Sequence, residues 1–145
     1  MTVQVEIVEE ATPELVAAFN RLLPQLSSSA SPLDHAAVAR LVTGEAQTVL
    51  VARTSDGIVG TLTLVLLPLA SGTRGRVEDV VVDAAARGQG VARLLTEEAL
   101  RVAREAGART VDLTSRPDRV AANRLYERLG FRTRKSTVYR VAFEG

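Results

Sequence analysis

The residues Arg87-Gly88-Gln89-Gly90 stand between an apolar β-branched run, Val80-Val81-Val82, and a long stretch of helical periodicity. That arrangement suits an anion. Glycines remove side chains where the backbone turns, and a helix start presents unpaired N–H groups at the positive end of its dipole. A diphosphate needs several converging donors and close backbone approach. Gly88 and Gly90 permit that approach, while Gln89, Val91, Ala92 and Arg93 can each donate a main-chain N–H. The plain alternative for each glycine is a simple turn, and for Arg87 a solvated side chain at a helix start. Arg93 reads as a surface residue before it reads as a phosphate ligand. Two nucleotide motifs are excluded. The chain has no Gly-x-x-x-x-Gly-Lys-Ser/Thr. Arg93 occupies the position of the third glycine of a dinucleotide fingerprint, and the segment follows several strands instead of the first one.

Few groups could move a proton. Glu78 and Asp79 are neighbours on one strand, where adjacent side chains point to opposite faces, so only one can face a cleft. A strand acid paired with Arg76 or Arg74 is the competing reading for Glu78. His35, the single histidine, has the pKa best suited to neutral pH but lies on a short helix with no motif around it, and it reads as a surface residue. Asp112 and Ser115 are further candidates with weaker support. Tyr126 either packs a helix against the sheet or presents its phenol to a reacting group.

The elements that must position these residues follow from periodicity. Val3–Val8 alternates as a strand, with Val3, Val5 and Ile7 on one face. Thr12-Pro13-Glu14 is a helix start, followed by the stripe Leu15, Ala18, Phe19, Leu22 and Leu23, with Pro24 ending the helix or tightening its last turn. Ser27–Ser31 is a loop, either a connector or a mobile wall over a substrate pocket, and a short helix covers Asp34 to Val42. Gln47–Arg53 and Ile58–Leu67 form a hairpin through Asp56-Gly57, and Arg76–Val82 extends it into an antiparallel meander. Gln89–Ala106 is an amphipathic helix stopped by Gly107. Arg109–Thr114 must then lie parallel to Arg76–Val82 through a right-handed crossover. A last helix buries Val120, Ala121, Leu125 and Leu129 and stops at Gly130, and Phe131–Arg134 and Thr137–Phe143 close the sheet as two strands. The expectation is an α/β (α+β) fold in one domain over residues 1–145, with a mixed, mostly antiparallel sheet, a central parallel pair and flanking helices.

Composition removes several function classes. The 145 residues carry 18 basic and 17 acidic side chains, a net charge of +1, so no bulk field draws the chain to nucleic acid. Arg132, Arg134, Lys135 and Arg140 read as a solvated sheet edge, and 3% aromatic content argues against a base-stacking platform. No cysteine is present, which removes disulfides, thiol nucleophiles and cysteine-ligated metals, and no metal site is expected. The longest apolar run, Leu62–Ala70, is interrupted by Thr63 and Pro68 and is too short for a membrane span, and the N-terminus lacks signal-peptide features. A cytoplasmic protein with no membrane partner is the expectation.

Arg87-Gly88-Gln89-Gly90-Val91-Ala92 resembles the Gln/Arg-x-x-Gly-x-Gly/Ala loop of the GNAT N-acetyltransferase family. Ala122-Asn123-Arg124-Leu125-Tyr126-Glu127-Arg128-Leu129-Gly130-Phe131 is similar to its second signature, Ala-x-x-Leu-Tyr-x-x-x-Gly-Phe, and the order of elements agrees over nearly the whole chain. The resemblance implies acetyl-CoA as co-substrate, its pyrophosphate on the 87–93 segment, its pantetheine on backbone groups of Val80 and Val82 between splayed parallel strands, and Asn123 among the cofactor contacts. It implies Tyr126 as the acid that protonates the leaving thiolate. The string Val77–Val82 is similar to glucosamine-phosphate acetyltransferases, which favours Glu78 as base, acting directly or through water. Arg119 stands where many members have an Asn, which puts that contact to the pantetheine in doubt. The implied activity is direct acetyl transfer, in a ternary complex, to the primary amine of a small molecule. A protein N-terminus or lysine as acceptor, and a silent CoA-binding regulatory module, remain the alternatives. Analogy adds a homodimer through the last strands.

Overall fold

The computed structural model describes residues 2–143, and these fall into two compact units that divide between Thr114 and Ser115. The first unit contains β1 (Gln4–Val8), α1 (Pro13–Leu26), α2 (His35–Thr43), β2 (Gln47–Thr54), β3 (Gly57–Leu69), β4 (Gly72–Val82), a short 3₁₀ turn (Ala84–Ala86), α3 (Val91–Glu105) and β5 (Thr110–Asp112). The second contains α4 (Val120–Arg128). The fold is α+β. Its five strands lie in the order β1-β2-β3-β4-β5, antiparallel except for the parallel pair β4 and β5. The meander and the parallel crossover are as the sequence predicts.

Capping chemistry sets the helix ends. Thr12 Oγ1 accepts from Leu15 N–H at 3.1 Å with Pro13 in the first turn, and Asp34 accepts from Ala37 N–H at 2.8 Å. Pro24 does not end α1, which runs on to Leu26. Gly107, at φ 84°, closes α3, with its own N–H on Arg104 C=O and Ala108 N–H on Ala103 C=O.

Two apolar layers cover the sheet. One joins Val91, Leu95, Ala99 and Ala103 of α3 to Leu50, Leu62, Leu64 and Val77. The other joins Leu15, Ala18, Phe19 and Leu22 of α1 and Val38 and Val42 of α2 to Val49, Val51, Ile58 and Val81. Glycines bring α3 close to the strands. A Cβ on Gly60 would meet Val91 Cγ1 at 3.0 Å and Leu95 Cδ1 and the Val81 carbonyl at 3.3 Å, and a Cβ on Gly75 would meet Val111 Cγ2 at 3.2 Å. Of the expected strand face Val3, Val5 and Ile7, Val3 and Val5 pack against the α3 layer while Ile7 is exposed.

The two closing strands are a correction. Residues 131–143 pair with no strand among the described residues, and Tyr139 (90%) and Phe143 (87%) are exposed. Their alternation is strand-like, but a strand forms only where a partner satisfies its N–H and C=O groups. Val120, expected inward on α4, is 55% exposed, and Leu125, Leu129 and Phe131 are half-buried.

Gly60→Val should destabilise the fold by about 1–3 kcal/mol through overpacking against α3 and the Val81 carbonyl. A lower urea midpoint with unchanged slope is the expected result of equilibrium unfolding.

Candidate functional site

Strand β4 carries the site because its two flanks are unequal. On the β3 side it is paired from Gly72 to Val82. On the β5 side only Arg74, Gly75 and Arg76 are paired, with Thr110, Val111 and Asp112. Val77–Val82 therefore runs on past β5 with no strand partner on that flank among the described residues. Val80 and Val82, the residues expected to offer backbone to a pantetheine, lie in this run. Unpaired backbone groups of this kind must find water or a ligand.

The run is bent by a bulge. Thr63 faces Glu78 and Thr61 faces Val81, so Leu62 stands opposite two residues, Asp79 and Val80. Asp79 is the only described non-glycine residue with positive φ, at 50°. Core membership shows the same break. Val77 lies in the α3 layer, Val81 in the α1 layer, and Val80 and Val82 pack against the α3 layer again. Regular alternation would put Val77 and Val81 on one face. The premise that Glu78 and Asp79 must point to opposite faces is thus set aside, since Asp79 is the extra residue that belongs to neither alternation.

The two acids have different surroundings. Arg76 donates from Nε to Glu78 at 2.5 Å and from its terminal nitrogen to Thr114 Oγ1 at 2.8 Å. Glu78 is thus ion-paired, with its side chain 44% exposed. Asp79 has no cation or donor within bonding distance among the described residues. Its side chain reaches solvent, yet surrounding protein removes enough water to push its carboxyl above the usual range, and neighbouring Glu78 adds to the effect.

Past β4 the chain is held from the α1 side. Asp83 N–H donates to Val59 C=O at 2.8 Å, and the Asp83 carboxylate accepts from Ala85 N–H at 3.1 Å. Gln25 Oε1 accepts from Ala84 N–H at 2.9 Å, and Arg21 bonds Ile58 C=O at 2.6 Å while its Nε lies 3.8 Å from Asp83. The sequence reading missed this brace, although Asp83 before Ala84-Ala85-Ala86 carries a capping signal. It fixes the approach to Arg87-Gly88-Gln89-Gly90. Gly88 and Gly90 adopt φ of 82° and 77°, the left-handed conformation that glycine enters without penalty. Gly90 caps α3 with no side chain, and the first intrahelical bond runs from Leu94 N–H to Gly90 C=O at 3.1 Å. The N–H groups of Val91, Ala92 and Arg93 have no acceptor within the helix. Arg87 and Gln89 are exposed. Arg93 pairs its guanidinium with Glu97 at 2.7 Å on the exposed surface of α3, and the same guanidinium lies 3.8 Å from where a Cβ on Gly90 would stand.

The remaining candidates are placed as follows. His35 is exposed at the start of α2, with Nε2 3.0 Å from Ala11 C=O. The loop before α2 is tied down by Asn20, which bonds both the N–H and the C=O of Leu33 at 2.8 and 2.9 Å. In the second unit, Asn123 spends its amide on Arg116 C=O at 3.0 Å, and Arg119 begins α4 without a side-chain cap. Tyr126 is buried. Gly130, at φ 102°, donates to Glu127 C=O, and Phe131 N–H donates to Tyr126 C=O at 3.0 Å. This is the Schellman closure, in which the residue after the glycine packs on the helix residue it bonds. Phe131 accordingly meets Tyr126 edge-on with ring centres 5.8 Å apart. Burial pushes the Tyr126 hydroxyl pKa up, with Arg119 opposing, so the phenol keeps its proton at neutral pH.

These features fit CoA. The Gly88–Gly90 turn and the α3 N–H groups suit a diphosphate, and a Cβ on Gly88 would meet no protein atom within 4 Å. The unpaired flank of β4 suits an amide-bearing arm. In the second unit, Ser115 Oγ is buried with no hydrogen-bond partner among the described residues. No helix among the described residues is long and apolar enough to cross a membrane.

Comparison with known proteins agrees with this geometry. The model of the acetyltransferase (GNAT) family matches residues 8–131. No curated protein matches the sequence. Among solved structures, an acetyltransferase from Trypanosoma brucei is 26% identical with a TM-score of 0.78, covering 97% of this chain and 100% of its own. A transcriptional regulator from Bacillus halodurans C-125 is 27% identical with a TM-score of 0.80, over 98% and 100% of the two chains. Glucosamine-6-phosphate N-acetyltransferase from Arabidopsis thaliana shares the fold at 22% identity and a TM-score of 0.80, over 99% and 100%. The chain belongs to the GNAT family of acetyltransferases.

Proposed function

We propose that this protein transfers an acetyl group from acetyl-CoA directly to the primary amine of a small molecule. The observation that carries the reading is the unpaired half of β4 leading into the Gly88–Gly90 turn and the bare start of α3. One strand then offers backbone partners to the pantetheine, and the following turn offers N–H donors to the diphosphate. Bound there, acetyl-CoA supplies an activated acyl carbonyl and a thiolate leaving group.

The chain's own groups have three tasks. The Gly88–Arg93 backbone holds the diphosphate, and Arg87 supplies a nearby positive charge. Tyr126, protonated and fixed by Phe131, is the proposed proton donor to the leaving sulfur. The acids at the β4 bulge, Glu78 beside it or Asp79 within it, are the proposed acceptors for the proton an ammonium must lose before it attacks. The absence of cysteine removes the commonest acyl-enzyme nucleophile and favours direct transfer. The Val77–Val82 string and the shared fold of the glucosamine-6-phosphate enzyme support a small amine. A second reading, CoA binding without turnover in a regulatory role, draws on the 27% identical transcriptional regulator.

Release of free thiol from acetyl-CoA across a panel of small amines and peptides tests both. Amine-dependent release supports the transferase, peptide preference moves the acceptor to protein, and CoA binding with no release favours the regulatory reading. Gly88→Ala should cost about 1–2 kcal/mol of stability from its left-handed φ. It should also weaken CoA binding by about tenfold, read by calorimetry. Tyr126→Phe keeps the edge-on contact with Phe131, so it should leave CoA affinity and Tm unchanged while lowering kcat by about a hundredfold.

A further inference from the structure

We infer that Asp79, and not Glu78, is the catalytic base that takes the proton from the acceptor amine. The inference rests on the acetyl-transfer reading and assigns one of its roles.

Three observations carry it, two of geometry and one of charge. Asp79 sits at φ 50°, a conformation that costs a non-glycine residue energy and persists where the surroundings impose it. Its position is the second. The bulge falls on the part of β4 that has left β5, in the run proposed to hold the pantetheine. Bulges re-aim single side chains beside active sites, and this one releases Asp79 from the alternation that directs Val77, Val80, Val81 and Val82 into the two cores. The third is charge. The Glu78 carboxylate is engaged by Arg76, itself anchored on Thr114, so a substrate ammonium would have to displace a guanidinium to reach it. Asp79 has no such partner among the described residues, and its partial desolvation makes it more basic than an ordinary aspartate.

The step balances. An Asp79 carboxylate oxygen takes one proton from the acceptor ammonium, and the freed lone pair attacks the thioester carbonyl. The C–N bond forms, the C–S bond breaks, and the sulfur leaves with the bonding pair and is protonated. The amide nitrogen gives up its second proton to solvent.

The test uses Asp79→Asn, Asp79→Gly and Glu78→Gln in the full chain. Each is compared with the unaltered protein for Tm, CoA affinity and kcat, using alkyl amines and an arylamine that is already unprotonated at neutral pH. Asn tolerates the left-handed conformation, so Asp79→Asn should keep Tm and CoA affinity but lose about a hundredfold in kcat with alkyl amines and under tenfold with the arylamine. Asp79→Gly should gain stability and lose activity alike, and Glu78→Gln should lose less in kcat with alkyl amines than Asp79→Asn does. A uniform loss across both amine classes overturns the base assignment, as does Asp79→Asn at full rate or a hundredfold loss confined to Glu78→Gln. If the unaltered protein acetylates no amine while binding CoA, the acetyl-transfer reading falls and takes this assignment with it.

Discussion

A parallel strand pair that parts after three residues organises the first unit. β4 is paired with β3 from Gly72 to Val82 except at the Asp79–Val80 bulge, and it is paired with β5 only over Arg74–Arg76. The remaining Val77–Val82 segment carries backbone donors and acceptors that regular sheet structure would have consumed. Leaving such groups without partners is costly in a folded protein, and it is tolerated where another partner is provided. The Asp79–Val80 bulge makes the departure possible. It adds one residue to β4 and exchanges the faces of the strand, so Val77 packs beneath α3 and Val81 beneath α1. Both cores depend on that exchange, and removing it would turn an apolar side chain to the wrong layer.

The close approach of α3 follows from the same strand. Gly60 on β3 and Gly75 on β4 have no room for a Cβ, and α3 lies against them through Val91, Leu95 and Ala103. The Arg21, Gln25 and Asp83 contacts hold the intervening turn from the opposite face of the sheet. The start of α3 is thereby set by packing on one face and polar contacts on the other. Donors held in place in this way cost less to organise should an anion bind.

Much of this was legible in the sequence because its signals are local. Val80-Val81-Val82, the Gly88-x-Gly90 turn, the periodic apolar face of α3 and the caps at Thr12 and Gly107 each act over a few residues, and each sits where the spacing places it. The bulge was not legible. Nothing in Glu78-Asp79-Val80 marks an inserted residue, because its cause is the register of a partner fifteen or more positions away, and strict alternation led to the premise that only one acid could face a cleft. The Arg76–Glu78 pairing was open in the sequence only as an alternative, since two strand arginines could compete for the acid. The closing strands failed for a related reason. Thr137–Phe143 has the composition of a strand, but a strand is a property of two segments, and a pattern in one cannot supply the other.

The Tyr-x-x-x-Gly-Phe spacing has a physical account independent of kinship. A helix closed by the Schellman geometry needs a left-handed residue just past its last turn, which selects glycine at 130. The next N–H then returns to the carbonyl five residues back, which is that of Tyr126, and the side chain of residue 131 is carried onto the side chain of residue 126. An aromatic at 131 converts that closure into an edge-on contact that orients the tyrosine ring. The backbone closure thus aims a phenol, and burial keeps that phenol protonated. The Tyr-x-x-x-Gly-Phe spacing is, in this chain, one cap whose closure holds the Tyr126 ring against Phe131.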